Sequence, residues 1–342
     1  MNLQELIKTA NMLVADNKGI LAIDESSSTC NKRFAALGIP QNEEIRRAYR
    51  EMIVTTPNLS DSISGLILYD ETIRQQKRDG TPFTKIIIDA GIILGIKVDV
   101  GAKDMAGHLG EKSTEGLDGL HERLTEYHKM GARFAKWRAV ITLGNGIPSR
   151  ACIEANAHSL ARYASICQDV GLVPIVEPEV LMAGDHFMNR CSKVTEEVLH
   201  TVFEQLYLQD VKLEGMILKP NMILPGLSCS SQETNDEIAD ATVECLLKVV
   251  PAAVPGIAFL SGGQSAELAT TRLNEMNIRF KSRLPWELSF SFARAIQQPA
   301  LEMWKGKNEN VLLAQQILYH RAKCNQAARL GEYNASMETI LY

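Results

Sequence analysis

Two lysines of this sequence occur where apolar strand patterns would be expected to continue. Lys219 ends the apolar run of EGMILKPNM, directly before Pro220, and Lys136 lies inside RFAKWRAV. A lysine beside apolar residues usually extends its ammonium group to solvent. Neither lysine alone therefore indicates catalysis, and the residues elsewhere in the sequence must show whether either one is catalytic.

Charged or small polar residues stand at seven of the eight strands that the sequence predicts. They are Asp24 at the end of the first strand, Lys97 at the third, Lys136 and Arg138 in the fourth, Glu177 and Glu179 after the fifth, Lys219 after the sixth, Ser261–Gly262–Gly263 after the seventh and Arg294 after the eighth. In a barrel of parallel strands these positions converge on the carboxyl-end rim, where barrel active sites lie. Their repetition at seven strands favours one shared site over unrelated solvated side chains.

The cations in this set indicate an anionic substrate, with phosphate as the leading candidate. We expect Ser261–Gly262–Gly263 to open a helix, whose N–H groups could hold a phosphate with Arg294 beside it. Lys97, Arg138 and a loop over 26–33 (SSSTCNKR) could hold a second phosphate elsewhere on the rim.

Lys219 could act as a nucleophile if its pKa were lowered. With an ordinary pKa near 10.4, only about one amine in a few thousand is neutral at pH 7. Desolvation by the apolar strand, together with the charges of Lys136 and Arg138, would lower that pKa. A neutral lysine forms a Schiff base with a carbonyl, and the protonated imine accepts electrons when a neighbouring C–C bond breaks. Glu177 could transfer protons during imine formation, and Asp24 could take a proton from a hydroxyl.

A bound metal could accept electrons in place of an imine. However, the seven histidines show no HxH or HExxH spacing, which does not favour a zinc site. No flavin, nicotinamide or Walker fingerprint is present. We therefore expect neither a metal nor another cofactor.

Short apolar runs alternate with helical patterns along the whole chain. The predicted strands are Gly19–Asp24, Gly65–Tyr69, Ile92–Val98, Arg133–Val140, Leu172–Val176, Gly215–Leu218, Ile257–Leu260 and Leu288–Phe292. Ser149 is expected to cap a helix that ends at Gly171, and Thr195 to begin another. This alternation predicts an α/β fold, a (β/α)8 TIM barrel in a single domain over residues 1–342. An open doubly wound sheet is the alternative, disfavoured because no GxGxxG follows the first strand.

Composition excludes several classes of function. The net charge of −5 argues against nucleic acid or an anionic membrane as a partner, and no apolar run approaches the roughly 20 residues of a membrane span. The seven cysteines include no CxxC pair, which suits a reduced compartment. A polar N-terminus without a secretory signal agrees with a cytoplasmic location.

The chain resembles class I (Schiff-base) fructose-1,6-bisphosphate aldolases along nearly its whole length. The matching segments are GILAIDESSSTCNKR, GLDGLHER, GIKVD, GARFAKWRAV, NAHSLARYASICQ, GLVPIVEPEVL, LEGMILKPNM, FLSGGQS and LSFSFARAIQQPAL. The resemblance implies reversible cleavage of fructose 1,6-bisphosphate to dihydroxyacetone phosphate and glyceraldehyde 3-phosphate, without a metal. It also implies a homotetramer.

The same resemblance implies a role for each site residue. Lys219 would form the Schiff base, Glu177 would be its acid/base and Glu179 would support the catalytic lysines, while Lys136 would assist proton transfer and Asp24 would deprotonate the C4 hydroxyl. Ser261, Gly262 and Arg294 would bind the 1-phosphate, and Ser26, Thr29, Lys97 and Arg138 would bind the 6-phosphate. Tyr342 would assist proton transfer at C3 from a tail that begins at about residue 331.

Three departures and two alternatives accompany this resemblance. Ala293 stands where animal enzymes have glycine, Thr29 stands where they have serine, and the tail is much shorter than in animal enzymes. A related lyase acting on fructose 1-phosphate or sedoheptulose bisphosphate would carry the same central residues. A barrel serving only as a binding scaffold is expected to lack Lys219, Glu177 or Asp24, and all three are present.

Overall fold

A closed barrel of eight parallel strands organises the chain. The structure is a computed structural model that describes residues 2–339. The barrel strands are β1 (Gly19–Ala22), β2 (Ile63–Leu68), β3 (Ile93–Lys97), β6 (Phe134–Ile141), β7 (Val173–Val180), β8 (Ile217–Leu218), β9 (Gly256–Phe259) and β10 (Glu287–Phe292). Strand β1 pairs with both β2 and β10, which closes the barrel. The predicted (β/α)8 fold is confirmed, and the open doubly wound alternative is wrong.

Helices surround the barrel, and a small hairpin extends from its carboxyl end. The helices are α1 (Leu3–Val14), α2 (Ser27–Ala35), α3 (Glu43–Val54), α4 (Asp70–Ile73), α5 (Phe83–Asp89), α6 (Leu120–Lys129), α7 (Arg150–Val170), α8 (Met188–Leu208), α9 (Asn235–Val249), α10 (Ala266–Phe280), α11 (Arg294–Trp304) and α12 (Val311–Leu330). The hairpin consists of β4 (Gly101–Asp104) and β5 (Lys112–Glu115), which pair antiparallel. Its strands are polar and half exposed, so no apolar pattern predicted them.

Helix α1 closes the amino-terminal end of the barrel. Its buried residues Leu6 and Leu13 pack in one cluster with Phe134 and other side chains from the barrel interior. Close packing there requires glycine: a Cβ on Gly65 would lie 2.7 Å from Leu13, and one on Gly95 would lie 2.2 Å from the Phe134 ring. Because α1 closes the amino-terminal end, the carboxyl end is the open face of the barrel.

The helix boundaries predicted from the sequence are correct for α7, and the predicted start is wrong for α8. Ser149 accepts the N–H of Cys152 at 3.2 Å, and Gly171 ends α7 with a φ of 88°. Thr195, by contrast, lies inside α8, which begins seven residues earlier at Met188. Threonine is a common cap, but here its buried hydroxyl accepts a hydrogen bond from Asn221 in the protein interior.

Three segments near the predicted site also differ from expectation. The expected loop over 26–33 is mostly helix α2, with Ser26 as its N-cap. Glu177 and Glu179 do not follow the fifth barrel strand but lie inside it, because β7 pairs with β6 as far as Val180. Helix α10 begins at Ala266 after a Ser265 cap, so Ser261–Gly262–Gly263 is a turn that precedes the helix.

Residues 331–339, which follow α12, contact helices of the outer layer. Gly331 ends α12 with a φ of 75°. The carboxylate of Glu338 accepts hydrogen bonds from Arg321 and Tyr333. Tyr342, which the sequence analysis assigned to proton transfer, lies outside the described residues.

Candidate active site

One cavity of about 940 Å³ opens at the carboxyl end of the barrel. Twelve of the thirteen predicted site residues line it, and the thirteenth is Tyr342. The twelve are Asp24, Ser26, Thr29, Lys97, Lys136, Arg138, Glu177, Glu179, Lys219, Ser261, Gly262 and Arg294. The structure thus brings together residues that the sequence spreads over 271 positions, from 24 to 294.

Strand β8 delivers Lys219 to the floor of this cavity. The N–H of Lys219 donates to the carbonyl of Val176 at 2.8 Å, the last hydrogen bond of the ladder with β7. Pro220 follows and has no N–H with which to continue that ladder. Lys219 is only 4% exposed, so its amine is largely removed from water.

Four buried charges of alternating sign run across the floor. The Lys219 ammonium lies 3.2 Å from one oxygen of Glu177, and the Lys136 ammonium lies 3.3 Å from the other. Lys136 is also 2.6 Å from Asp24. Glu177 therefore bridges the two lysines, and Lys136 bridges the two carboxylates.

The two lysines are buried to the same extent, yet their pKa values shift in opposite directions. Burial lowers the pKa of Lys219; Glu177 and Asp24 oppose that shift, while the neighbouring Lys136 reinforces it, and the net result is a lowered pKa. Burial also acts to lower the pKa of Lys136, but Asp24, Glu177 and Asp99 outweigh it and raise this pKa well above its usual range. Lys219 is thus the better nucleophile, and Lys136 remains a fixed cation.

Both carboxyl groups of the floor are held as carboxylates. Burial opposes ionisation of Asp24, but Lys136 and Lys219 more than compensate and bring its pKa well below the usual range. The same two lysines lower the pKa of Glu177 against the effect of its burial. An ionised Glu177 at 3.2 Å can take a proton from Lys219, and an ionised Asp24 can act as a base.

A second charge network holds the cavity wall beside Lys97 and Arg138. Arg138 donates to Glu179 at 2.5 Å, and its backbone N–H donates to Asp99 at 3.2 Å. Asp99 also pairs with Lys97 at 3.0 Å. Within residues 2–339, Glu179 forms no ion pair with either lysine of the floor, so its contact differs from the expected support of the catalytic lysines.

Two places on the rim have the geometry of anion sites. At the start of α2, the Ser26 hydroxyl lies 3.1 Å from both the Ser28 and Thr29 hydroxyls, beside the helix N–H groups. Elsewhere on the rim, Gly262 and Gly263 have φ values of 58° and 92°. A Cβ on Gly263 would lie 3.4 Å from the Arg294 guanidinium, so this turn passes closely beneath that arginine.

Sequence reasoning missed the residues that hold the functional groups in place. Asp99 is one, although its position two residues after Lys97, directly beyond the carboxyl end of β3, was a usable signal. Glu25 is another: its carboxylate is 10% exposed and pairs with Arg33 and, at 2.9 Å, with Arg50. Gln297 of α11 also donates to Glu25 at 2.9 Å, a contact between distant segments that no local pattern indicates.

The described residues contain neither a metal-binding cluster nor a membrane-spanning helix. Over residues 2–339, no group of three or more His, Cys, Asp or Glu side chains could hold a metal ion. Over the same residues, no helix has the length and apolar character needed to cross a membrane.

Comparison with known proteins gives matches over almost the full length. Residues 5–341 match a family model described as "Fructose-bisphosphate aldolase class-I". A protein of Xanthomonas campestris pv. campestris named "Probable fructose-bisphosphate aldolase class 1" is 57% identical, over 97% of this chain and 99% of that protein. "Fructose-bisphosphate aldolase 6, cytosolic" of Arabidopsis thaliana is 51% identical, over 96% of this chain and 91% of that protein.

A solved structure is similar in fold as well as in sequence. It is the fructose-bisphosphate aldolase of Plasmodium falciparum, crystallised with TRAP and a small-molecule inhibitor. Its TM-score is 0.95 at 46% identity, over 97% of this chain and 96% of that one.

Proposed function

Because this chain belongs to the class-I fructose-bisphosphate aldolase family, we propose that Lys219 is the residue that forms its Schiff base. The family acts on phosphorylated sugars, its members are metal-independent in general, and its reaction is a step of glycolysis. One observation carries the assignment: Lys219 combines burial in the cavity, a lowered pKa and a carboxylate 3.2 Å from its amine. Lys136, buried to the same extent, is held as a cation.

The steps of the reaction follow from the four charged side chains at the floor of the cavity. Lys219 gives a proton to Glu177, and the neutral amine attacks the C2 carbonyl of the open-chain sugar. Glu177 then returns this proton to the carbinolamine hydroxyl, which leaves as water. The protonated imine accepts the electron pair of the C3–C4 bond, while Asp24 removes the proton of the C4 hydroxyl. Glyceraldehyde 3-phosphate leaves, and protonation of the enamine at C3 followed by hydrolysis releases dihydroxyacetone phosphate and the free lysine.

Lys136 contributes to this reaction through its neighbours. Its charge lies 2.6 Å from Asp24 and 3.3 Å from Glu177, so it keeps both carboxylates ionised and repels the Lys219 ammonium. Glu179 has a different part, because it fixes Arg138 in the cavity wall.

The two anion sites fit the two ends of a bisphosphate. We assign the 1-phosphate to Ser261, Gly262 and Arg294, which line the cavity where a glycine turn lies close to the Arg294 guanidinium. The 6-phosphate is assigned to Ser26, Thr29, Lys97 and Arg138, where the hydroxyls at the start of α2 lie on the same cavity as two cations. This arrangement favours fructose 1,6-bisphosphate over sugars that lack the distal phosphate.

Trapping with borohydride tests the assignment of Lys219. Incubation with dihydroxyacetone phosphate and borohydride should attach one adduct to the protein, and peptide mapping should place it on Lys219. Lys219→Ala should abolish both adduct and turnover, whereas Lys85→Ala, which removes a lysine whose side chain is 63% exposed, should change neither. An adduct that persists in Lys219→Ala would refute the assignment, and loss of turnover on EDTA treatment would refute metal independence.

Four further properties belong to the proposal. Residues 1–342 form one catalytic domain whose tail begins after α12, at about Gly331. The assembly is a homotetramer, as the family resemblance implies, and Tyr342 acts in proton transfer at C3. A cytosolic location is supported by the similarity to a cytosolic aldolase of Arabidopsis thaliana.

A further inference from the structure

Pro220 interrupts the pairing of β7 with β8 directly beside the catalytic groups. The ladder ends where the Lys219 N–H donates to Val176, because residue 220 has no N–H. On its other side, the carbonyl of Pro220 accepts the N–H of Leu260 at 3.1 Å, so contact with the segment that follows β9 is kept. Beyond residue 219, the backbone therefore provides no further ladder bond between β7 and β8.

The side chain of Asn221 replaces the missing backbone bond. Its Oδ1 accepts the N–H of Val180, the last residue of β7, at 2.9 Å. Its Nδ2 donates to the Met222 carbonyl at 3.1 Å and to the Thr195 hydroxyl of α8 at 3.2 Å. Since Asn221 is only 5% exposed, water does not readily take over these bonds.

The two bonds between β7 and β8 bracket Glu177. The bond from the Lys219 N–H is accepted by Val176, one residue before Glu177. The bond accepted by Asn221 is donated by Val180, three residues after Glu177. The bracketed segment carries both Glu177 and Glu179, and one of the bonds is made by Lys219 itself. The position of Glu177 relative to the Lys219 amine therefore depends on both of these hydrogen bonds.

We propose that Asn221 is a positioning residue, which sets the distance between Glu177 and Lys219 by pairing with Val180. The proposal rests on the assignment of Lys219 as the Schiff-base lysine. Without the Asn221 side chain, the N–H of Val180 is buried and unpaired, and the end of β7 is held only by β6. Proton transfer between Glu177 and the imine-forming amine then slows, while the 1-phosphate site, whose residues Ser261, Gly262 and Arg294 lie on other segments, still binds dihydroxyacetone phosphate.

Three variants separate this role from ordinary packing. Asn221→Ala removes both hydrogen-bonding ends, and Asn221→Asp keeps an oxygen acceptor for Val180. Thr195→Val removes only the hydroxyl partner of Nδ2, which keeps its bond to the Met222 carbonyl. For each variant the rate of borohydride-trapped adduct formation is measured with saturating dihydroxyacetone phosphate at a series of pH values. The KM for the same compound and the midpoint of thermal unfolding are measured as well.

Each variant has a distinct expected result. Since a displacement of about 1 Å at a reacting centre can cost about 100-fold in rate, Asn221→Ala should slow adduct formation by about 100-fold and change KM by less than about threefold. Its pH dependence should move to lower pH, because Glu177 raises the Lys219 pKa and a looser pair raises it less. Thr195→Val should stay within about threefold of the wild type, since the bond to Val180 is intact.

Asn221→Asp gives the opposite pH shift. Its carboxylate still accepts from Val180, so adduct formation should recover to within about tenfold of the wild type. The added negative charge near Lys219 should move the pH dependence to higher pH.

Two results would overturn the proposal. One is an Asn221→Ala rate within about threefold of the wild type. The other is an equal loss in Asn221→Ala and Thr195→Val with an unmoved pH dependence, which would indicate only loosened packing against α8. If Asn221→Ala does not fold, Asn221→Asp decides, because a loss of about 100-fold there would contradict the retained acceptor. Failure of the Schiff-base assignment is distinguishable: the wild type would then form no adduct on Lys219, whereas Asn221→Ala forms the same adduct slowly.

Discussion

Lys136→Met is expected to destabilise the fold because it leaves two buried carboxylates without their shared cation. Methionine has a similar length and keeps the apolar contacts of the side chain, so the change removes mainly a charge. In the wild type, the Lys136 ammonium lies 2.6 Å from Asp24 and 3.3 Å from Glu177, and all three side chains are buried. The variant keeps Lys219 as the remaining cation on the floor, 3.2 Å from Glu177.

The magnitude follows from these distances. At an effective dielectric constant of about 20, unit charges attract by about 6 kcal/mol at 2.6 Å and about 5 kcal/mol at 3.3 Å. Removing the lysine also removes the cost of burying its charge, which offsets much of this attraction. Measured losses for one partner of a buried ion pair are about 3–5 kcal/mol, and we expect a fall of that size in the free energy of unfolding at neutral pH.

The pH dependence has a definite sign. In the wild type the pKa values of Asp24 and Glu177 are lowered, so both stabilise the fold above their unfolded-state pKa values of about 4, and this contribution is lost as the pH falls through the folded values. In Lys136→Met these folded-state pKa values rise, so protonation relieves the burial of the carboxylates as the pH falls. The difference in stability between wild type and variant should therefore be larger at about pH 7.5 than at about pH 5.

Urea denaturation of both proteins at the two pH values measures this difference. Lys85→Met is the matched control, because Lys85 forms an i,i+4 ion pair with Asp89 on the surface and should cost less than about 0.5 kcal/mol. Adding Asp24→Asn to Lys136→Met should recover part of the loss. A Lys136→Met penalty no larger than that of Lys85→Met, or one that does not change with pH, would refute the argument.

Two further predictions concern binding and protonation. Lys97→Ala should lower kcat/KM for fructose 1,6-bisphosphate about 10- to 100-fold and leave fructose 1-phosphate nearly unaffected, because charged hydrogen bonds contribute about 1.5–3 kcal/mol. Arg294→Ala should impair both substrates, and equal effects of Lys97→Ala on the two sugars would contradict the assigned 6-phosphate site. The rate of adduct formation should fall as the pH drops below the pKa of Lys219, since only the neutral amine attacks, and its midpoint should lie below the ordinary lysine value of 10.5. A midpoint at or above that value would contradict the lowered pKa.

The fold was predictable because its strands are buried on both faces. Runs such as Leu172–Val176 are continuously apolar, which is typical of the parallel strands of a barrel, and helical patterns separate them. The polar hairpin β4–β5 could not be predicted in this way. Its strands pair with each other and lie half exposed, so neither apolar periodicity nor burial marks them in the sequence.

The membership of the site was also predictable, but the partners within it were not. Residues at the carboxyl ends of parallel strands must share a rim, which brought twelve predicted residues to one cavity. The sequence does not say which charges on that rim touch. Arg138 was expected to repel the Lys219 ammonium, yet it is paired with Glu179 and is not among the groups with the largest effects on the Lys219 pKa.

Burial alone cannot identify the nucleophile at this site. The sequence argument lowered the pKa of Lys219 through an apolar strand, but Lys136 lies in an equally apolar strand and is equally buried, at 4% exposure. What differs is the set of neighbours: Lys136 contacts two carboxylates, whereas Lys219 contacts one carboxylate and has a lysine close by. The second carboxylate raises one pKa, and the fixed charge this creates lowers the other. Asp24 therefore supports the nucleophile indirectly, by holding Lys136 charged, as well as acting as a base. On this argument the assignment of the two lysines is a property of the four charges together and cannot be read from either strand alone.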